Sequence, residues 1–266
     1  MPRYVTLRRF HIAPESFYVN NKQRRQATMW SPFPSPERVL VIMAHPDDPE
    51  FGAGGTIARW ADAGADITYV IVTDGSKGSG DPEMTWERLV RLREQEQREA
   101  ARILGVKECV FLGYPDGEVY NTIELRRDLV RLIRLYRPDV VITHDPTARF
   151  IGNTRINHPD HRAVGDTTLD AIFPLARDRL NFPEHEAEGL APHKVLDVFM
   201  TPTNEPNFWV DIEPVLDRKI RALLAHQSQI GDPATLRERI EARSREYAAG
   251  SIYRYAERFR RIVLKG

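Results

Sequence analysis

Two short stretches of this sequence concentrate the side chains that bind metals and move protons. The first is His45-Pro46-Asp47-Asp48-Pro49-Glu50, running on into Phe51-Gly52-Ala53-Gly54-Gly55-Thr56. The second is His144-Asp145 and, a short loop later, Asn157-His158-Pro159-Asp160-His161-Arg162. Zinc is held by imidazole, thiolate and carboxylate; with Cys109 the single cysteine, a Cys-rich module is excluded and His and Asp must supply the ligands. A catalytic zinc takes three protein ligands and keeps one position for water. His45 and Asp48 from the first stretch, with one histidine from the second, meet that count. One His beside one Asp is ordinarily a satisfied polar pair. Two dense clusters, each containing a His-Pro step, weigh the balance towards a metal.

The glycines at 52, 54 and 55 invite a dinucleotide reading, which fails on two counts. The G-x-G-x-x-G/A pattern begun at Gly52 requires Gly or Ala at position 57, where Ile57 stands, and the His/Asp stretch separates the glycines from the preceding strand. No Gly-Lys-Ser/Thr triplet occurs, so a P-loop is absent. The glycines are expected to let the backbone pass close to the metal loop and to open a helix near Gly55–Ala63.

The elements that must position these groups alternate between strand and helix. Val39-Leu40-Val41-Ile42-Met43-Ala44 is a continuous apolar run, as in a strand covered on both faces. Ile67–Thr73, Cys109–Leu112 and Asp139–Thr143 read as further strands, with helices over Glu87–Leu104 and Asn121–Tyr136 between them. In the second helix Leu125, Leu129, Leu132, Ile133 and Tyr136 follow helical spacing, and Asn121 with Glu124 resembles a capping box. Val195–Thr201 and Phe208–Ile212 are strand candidates and Glu213–Gln227 an amphipathic helix; the last thirty residues read as charged and mostly helical. The alternation predicts an α/β fold, a Rossmann-like, mostly parallel sheet with helices on both faces. It forms a single domain over residues 37–266, preceded by an arm over residues 1–36. That arm holds six basic residues against the one acid Glu15 and ends in the turn-rich Ser31-Pro32-Phe33-Pro34-Ser35-Pro36. Ligands of such sheets bind beyond the carboxyl ends of the strands, where strand order reverses. Both His/Asp stretches follow strands and belong on that rim.

The 266 residues are 41% hydrophobic and 29% charged, an ordinary globular composition. Lys plus Arg and Asp plus Glu each total 38, which gives no electrostatic reason to expect a nucleic acid or a membrane as partner. The strongest apolar run is far too short to cross a bilayer, and the N-terminus lacks a signal-peptide core. A cytoplasmic protein is the expectation.

The quoted residues carry a family resemblance. His45-Pro46-Asp47-Asp48 with Glu50 and Gly54-Gly55-Thr56, joined to His158-Pro159-Asp160-His161, resembles the LmbE-like (PIG-L) family of zinc-dependent N-deacetylases. The similarity extends over roughly residues 38–230 and takes in Thr73-Asp74-Gly75, Arg93 with Glu96, Leu104-Gly105-Val106 and the Lys219…His226-Gln227-Ser228-Gln229 stretch. The resemblance implies one Zn2+ per chain held by His45, Asp48 and His161. It further implies Asp47 as general base towards water and His158 as the group that stabilises the oxyanion. Arg93 and Asp116 match positions that contact the sugar. The implied substrate is a small N-acetylated amino sugar, an N-acetylglucosamine conjugate, and the implied assembly a homo-oligomer, trimeric or hexameric. Either His158 or reprotonated Asp47 could protonate the leaving amine.

Two other readings compete. A metal-dependent phosphohydrolase also uses His/Asp clusters, but such sites commonly hold two metals and need more ligands than three. A non-catalytic metal-binding protein would be indifferent to the loss of Asp47. Among the remaining candidates, Asp160 is balanced between orienting a ligand histidine and an ordinary loop carboxylate. His144 and Asp145 lean towards structural roles, and His226 towards packing. His11, His185 and His193 fall in turn-rich segments and are expected to be solvated. Cys109 is expected to be an inert core thiol, and Trp86 with the Gly75–Pro82 loop a lid.

Overall fold

A computed structural model describes residues 34–265, and all but the last three residues of the expected arm lie outside them. The first strand, β1 (Arg38–Met43), sends Val39, Val41 and Met43 to one face and Leu40 and Ile42 to the other. All five are buried, so the run has no polar position to spare. After it come α1 (Asp48–Asp62), β2 (Asp66–Thr73), α2 (Trp86–Leu104), β3 (Glu108–Tyr114), α3 (Ile123–Tyr136) and β4 (Val140–Thr143). A small hairpin, β5 (Phe150–Ile151) and β6 (Arg155–Ile156), leads into α4 (Pro159–Asp170). The chain continues through β7 (Asp197–Met200), β8 (Phe208–Asp211), α5 (Leu216–Leu224), α6 (Pro233–Tyr247) and β9 (Ala256–Val263).

The main sheet has the order β3-β2-β1-β4-β7-β9-β8. It is parallel from β3 to β7, and β9 runs antiparallel to both β7 and β8. Helices α1, α2 and α5 pack on one face through residues such as Ile57, Trp60, Leu104 and Leu223; α3 and α4 pack on the other through Leu125, Leu129, Ile133 and Val164. This is the expected mostly parallel sheet with helices on both faces. The chain steps outward from β1 to β2 and β3, then crosses back to β4 on the far side of β1. Strand order therefore reverses between β1 and β4, and the crevice for a ligand opens beyond their carboxyl ends. Among the described residues no helix is long and apolar enough to cross a membrane.

Several local expectations need correction. Helix α1 begins at Asp48, not near Gly55: Pro49 suits a first turn, and Asp48 and Glu50 complement the helix's positive end. Gly55 therefore lies inside the helix, where a Cβ would come within 2.5 Å of Ile212 Cγ2 and 3.2 Å of Glu257 Oε1. Its smallness serves close packing against the strand β8 end and β9, and the helix opens without it. Thr122, not Asn121, caps α3, its hydroxyl accepting from Leu125 N–H. The last thirty residues divide between α6 and β9, and the strand hides its signal in arginines. Arg261 lies over the Phe199 and Phe208 rings and pairs with Asp197, so a charged side chain does the packing of an apolar one. His185 is buried, not solvated. Cys109 is partly buried in β3, and burial pushes its thiol up to about 12, in keeping with an inert role.

Candidate active site

The two His/Asp stretches meet at the crevice between β1 and β4, and both do so as helix N-termini. Asp47 occupies the N-cap of α1 and His158 the N-cap of α4. Three atoms converge there: His45 Nδ1, Asp48 Oδ2 and His161 Nε2, each 3.2 Å from the other two. Zinc bonds of ~2.0–2.2 Å at tetrahedral angles would separate ligand atoms by about 3.3–3.6 Å, close to this spacing.

Tautomers fixed from outside the cluster turn those atoms inward as lone pairs. His45 Nε2 faces Asp116 Oδ1 at 3.1 Å and Asp160 Oδ2 at 3.3 Å, so its proton belongs there and Nδ1 is left to bind. His161 Nδ1 donates to Asn157 Oδ1 at 3.1 Å, with the Asn157 amide oriented by its own donation to Ala148 O at 2.8 Å. The contact with Asn157 Oδ1 leaves Nε2 as the lone-pair nitrogen of the neutral His161 ring. Burial opposes a charge on His45, but Asp116, Asp160 and Asp48 outweigh it and raise its pKa to about 11, so with no ion a second proton occupies Nδ1, the position a cation would take in its place. A concentration of negative charge that retains a proton so firmly equally attracts a cation. Asp48 is held well below the carboxylate range: burial resists ionisation, but His161 and His144 prevail.

His45, Asp116, His158 and Asp160 also lie close enough to suggest a metal. The Asp160 carboxylate, however, is already engaged by Gly117 N–H at 2.7 Å and Val119 N–H at 3.2 Å, and Asp116 Oδ2 by Lys77 N–H at 3.0 Å. These carboxylates fit better as the groups that orient His45. Asp160 thus has the orienting role that its sequence context left evenly balanced.

His158 Nδ1 accepts the N-cap hydrogen bond from Asp160 N–H at 3.2 Å, which places its proton on Nε2. Its ring is partly exposed and lines a cavity of about 300 Å³ beside Asp48, His144 and His161. Asp47 adopts a left-handed backbone, φ 90°, an unusual conformation for a non-glycine residue and one that concentrates at functional sites. Burial and the neighbouring Asp48 raise its carboxyl to about 7, with Arg93 pulling the other way.

Sequence reasoning missed the support behind Asp47. Its N–H donates to Gln97 Oε1 at 2.8 Å, and Gln97 Nε2 donates to both Glu50 oxygens at 3.1 Å. Glu50 Oε2 in turn meets His226 Nε2 at 3.0 Å, with Glu50 and His226 fully buried. Glu50, lying within the metal stretch, was a visible signal; Gln97, on α2, gave none. His144 also does more than pack: its Nε2 accepts from Ala44 N–H at 3.0 Å and its ring stacks on His161 at 4.0 Å. Arg93 and Asp116 are both buried and do not border the cavity. Arg93 donates to Pro46 O at 2.8 Å and Gly75 O at 2.9 Å, binding the metal stretch to the β2 end.

A family model described as PIG-L, GlcNAc-PI de-N-acetylase, matches residues 40–172, half of the chain and the half that holds every residue above except His226. The chain belongs to the PIG-L family. It is accordingly a hydrolase of amide C–N bonds. This PIG-L chain is 37% identical over 233 residues to the diacetylchitobiose deacetylase of Thermococcus kodakarensis, covering 86% of this chain and 84% of the relative. It is 29% identical to a probable N-acetyl-α-D-glucosaminyl L-malate deacetylase of Bacillus anthracis, over 74% of this chain and 83% of the relative. Among solved structures, the N,N'-diacetylchitobiose deacetylase of Pyrococcus horikoshii superposes with a TM-score of 0.83 at 30% identity, covering 96% of this chain and 95% of that one.

Proposed function

We propose that this PIG-L chain removes the acetyl group from an N-acetylated amino sugar, N-acetylglucosamine or a conjugate of it, with one Zn2+ per chain. The observation that carries the reading is the convergence of three inward-facing lone pairs, on His45, Asp48 and His161, beside a cavity that the His158 ring also lines. The relatives' substrates, diacetylchitobiose and a glucosaminyl malate, support the sugar class. When bound, zinc supplies a Lewis acid that polarises the amide carbonyl and makes water acidic enough to react near neutral pH.

The chain's own residues do the rest. His45, Asp48 and His161 hold the ion; Asp116 and Asp160 keep His45 in the binding tautomer. Asp47, adjacent to a ligand and with a carboxyl raised towards neutrality, accepts the proton of the attacking water. Gln97 and Arg93 hold its backbone in place. His158 Nε2–H donates to the oxygen on which charge develops, a contact whose loss typically costs ~10²–10³ in rate. Asp116 and the two terminal nitrogens of Arg93 are already engaged within the protein, while Arg93 Nε is buried without a partner. The geometry supports them as organisers of Asp47 and His45 ahead of the direct sugar contacts that family resemblance implies. A two-metal phosphohydrolase gains nothing from the second acidic cluster, whose carboxylates are engaged by backbone amides.

Acetate release from N-acetylglucosamine, diacetylchitobiose and glycosides of inositol and malate, with zinc and after chelation, tests the reading. Release from at least one member that chelation abolishes is expected. Asp47→Asn should lower kcat by ~10²–10⁴ while the zinc content, measured by atomic emission, stays at that of the parent. No release by the zinc-loaded protein would overturn the deacetylase reading, and an undiminished Asp47→Asn would overturn the role of the base.

A further inference from the structure

The reversal of strand order opens the crevice, and one side chain spans it. Backbone pairing between β1 and β4 ends at Val41 and Ile142. Each strand nonetheless keeps its outer neighbour further up, β1 as far as Met43 against Ile71 and β4 as far as Thr143 against Met200. Beyond Val41 the two central strands therefore part. Ala44 sits at the parting and is fully buried, so its N–H must still find an acceptor. It finds His144 Nε2 at 3.0 Å, an imidazole following β4 directly, in place of a carbonyl of that strand. Asp48 Oδ2 is farther from the same nitrogen, at 3.4 Å. The contact with Ala44 thus decides that Nε2 carries the lone pair and Nδ1 the proton.

The same ring seats the other half of the cluster. It lies parallel to the His161 ring, with 7° between the planes and 4.0 Å between the centres. Helix α4, which carries His161, also comes up against the His144 backbone, so close that a Cβ on Gly165 would lie 2.5 Å from His144 O. Ala44 is bonded to His45. Through one rigid ring, the two contacts therefore relate His45 on one side of the crevice to His161 on the other. Packing alone does not account for an imidazole at this place. Nδ1 is buried without a hydrogen-bond partner among the described residues, and an unpaired buried donor is costly. A position that needed only filling would favour an apolar side chain, which has no such orphan. The ring is kept for its other nitrogen and its face.

We propose that His144 is a positioning residue of the metal site: its Nε2 bridges the parted strands by accepting from Ala44 N–H, and this contact sets the spacing of His45 from His161. A group that fixes ligands from outside in this way acts on the metal without touching it. The inference rests on the zinc reading of the site and adds to it the residue that holds the two ligand-bearing segments in register.

Zinc affinity, measured by competition against a chromophoric chelator, is the readout. His144→Phe keeps a flat ring and removes the acceptor. His144→Gln places its amide near the Nε2 position, whereas His144→Asn reaches no further than Nδ1. Affinity should fall about tenfold or more in the Phe and Asn variants, the scale on which metal sites respond to lost supporting groups, and recover to within about threefold of the parent in His144→Gln. Should His144→Phe fail to fold, the Gln and Asn variants carry the same comparison. Melting temperatures of the chelated proteins separate the alternatives. A residue that only supports the fold would lower them and leave zinc affinity unmoved. Affinity within about twofold of the parent in both the Phe and Asn variants overturns the inference, as does a loss in His144→Gln equal to that in His144→Asn. Either result leaves the zinc reading intact, whereas a parent that binds no zinc overturns both.

Discussion

Two backbone amides, from Gly117 and Val119, point at the Asp160 carboxylate, and His45 Nε2 meets it from a third side. Burial raises the pKa of this group, but His45 and the two amides outweigh it and hold the carboxyl below its ordinary value, so it stands as an anion inside the protein. Its charge fixes the proton of His45 on the outer nitrogen. Asp160→Asn keeps the shape and removes the charge, and its amide can rotate to present N–H to His45. Zinc affinity should fall ~10–100-fold, the usual cost of losing such a partner, with Asp116 retaining part of the effect. Competition against a chromophoric chelator measures it, and an affinity unchanged within twofold would show that Asp116 suffices. Residues of this kind mark the limit of sequence reading. His45, Asp48 and His161, the proposed ligands, could be singled out because they sit in short stretches of matching chemistry. Gln97 is fifty positions from the Asp47 amide it holds. Only folding brings those two together, and a glutamine on a charged helix advertises nothing.

Helix α1 shows how an element converts glycine into position. At Gly55 the helix passes so near Ile212 that any side chain would collide, and Gly55 N–H and Thr56 N–H each donate to Glu257 at 2.7 Å. Glu257 is held in turn by Lys219 Nζ at 2.6 Å, so α1, α5 and β9 share one buried polar junction. Gly55→Ala should gain helix propensity and lose far more to overpacking, ~1–3 kcal/mol in total. At ~2–4 °C per kcal/mol for a chain of this size, the melting temperature should drop by about 2–12 °C. Thermal unfolding followed by circular dichroism checks this, and an unchanged Tm would show that α1 can slide away from β8 without cost. The parallel core was legible because β1, β2 and β4 are apolar on both faces. β9 was not legible, because Arg258 and Arg261 cover aromatic rings with their guanidinium planes and present a charged pattern in a buried strand. The start of α1 was misplaced for a related reason. A stretch rich in Asp and Pro reads as loop, yet those residues are what a helix N-terminus prefers.

At the scale of the whole molecule, the site joins the two faces of the sheet. His45 and Asp48 lead into α1, which packs on one face, and His161 belongs to α4, which packs on the other. The proposed ligands come from two segments more than a hundred residues apart in the chain, and each half of the cluster follows its own strand at the reversal of strand order. An ion held by all three therefore binds only where β1 and β4 are paired, which is the folded state, and its binding energy adds to folding stability. Free zinc at a hundred times its dissociation constant should contribute ~2.7 kcal/mol. With ~2–4 °C per kcal/mol, chelation should lower the melting temperature by about 5–10 °C. His161→Ala should melt at the same temperature with or without chelator, since the remaining His45 and Asp48 lie on a single segment and no longer link the faces. Scanning fluorimetry of the two proteins across a zinc titration measures both effects. A parent Tm indifferent to zinc would show that the cluster does not bridge the sheet through a metal, whereas a shift that persists in His161→Ala would move the ion to the cluster of His45, Asp116, His158 and Asp160.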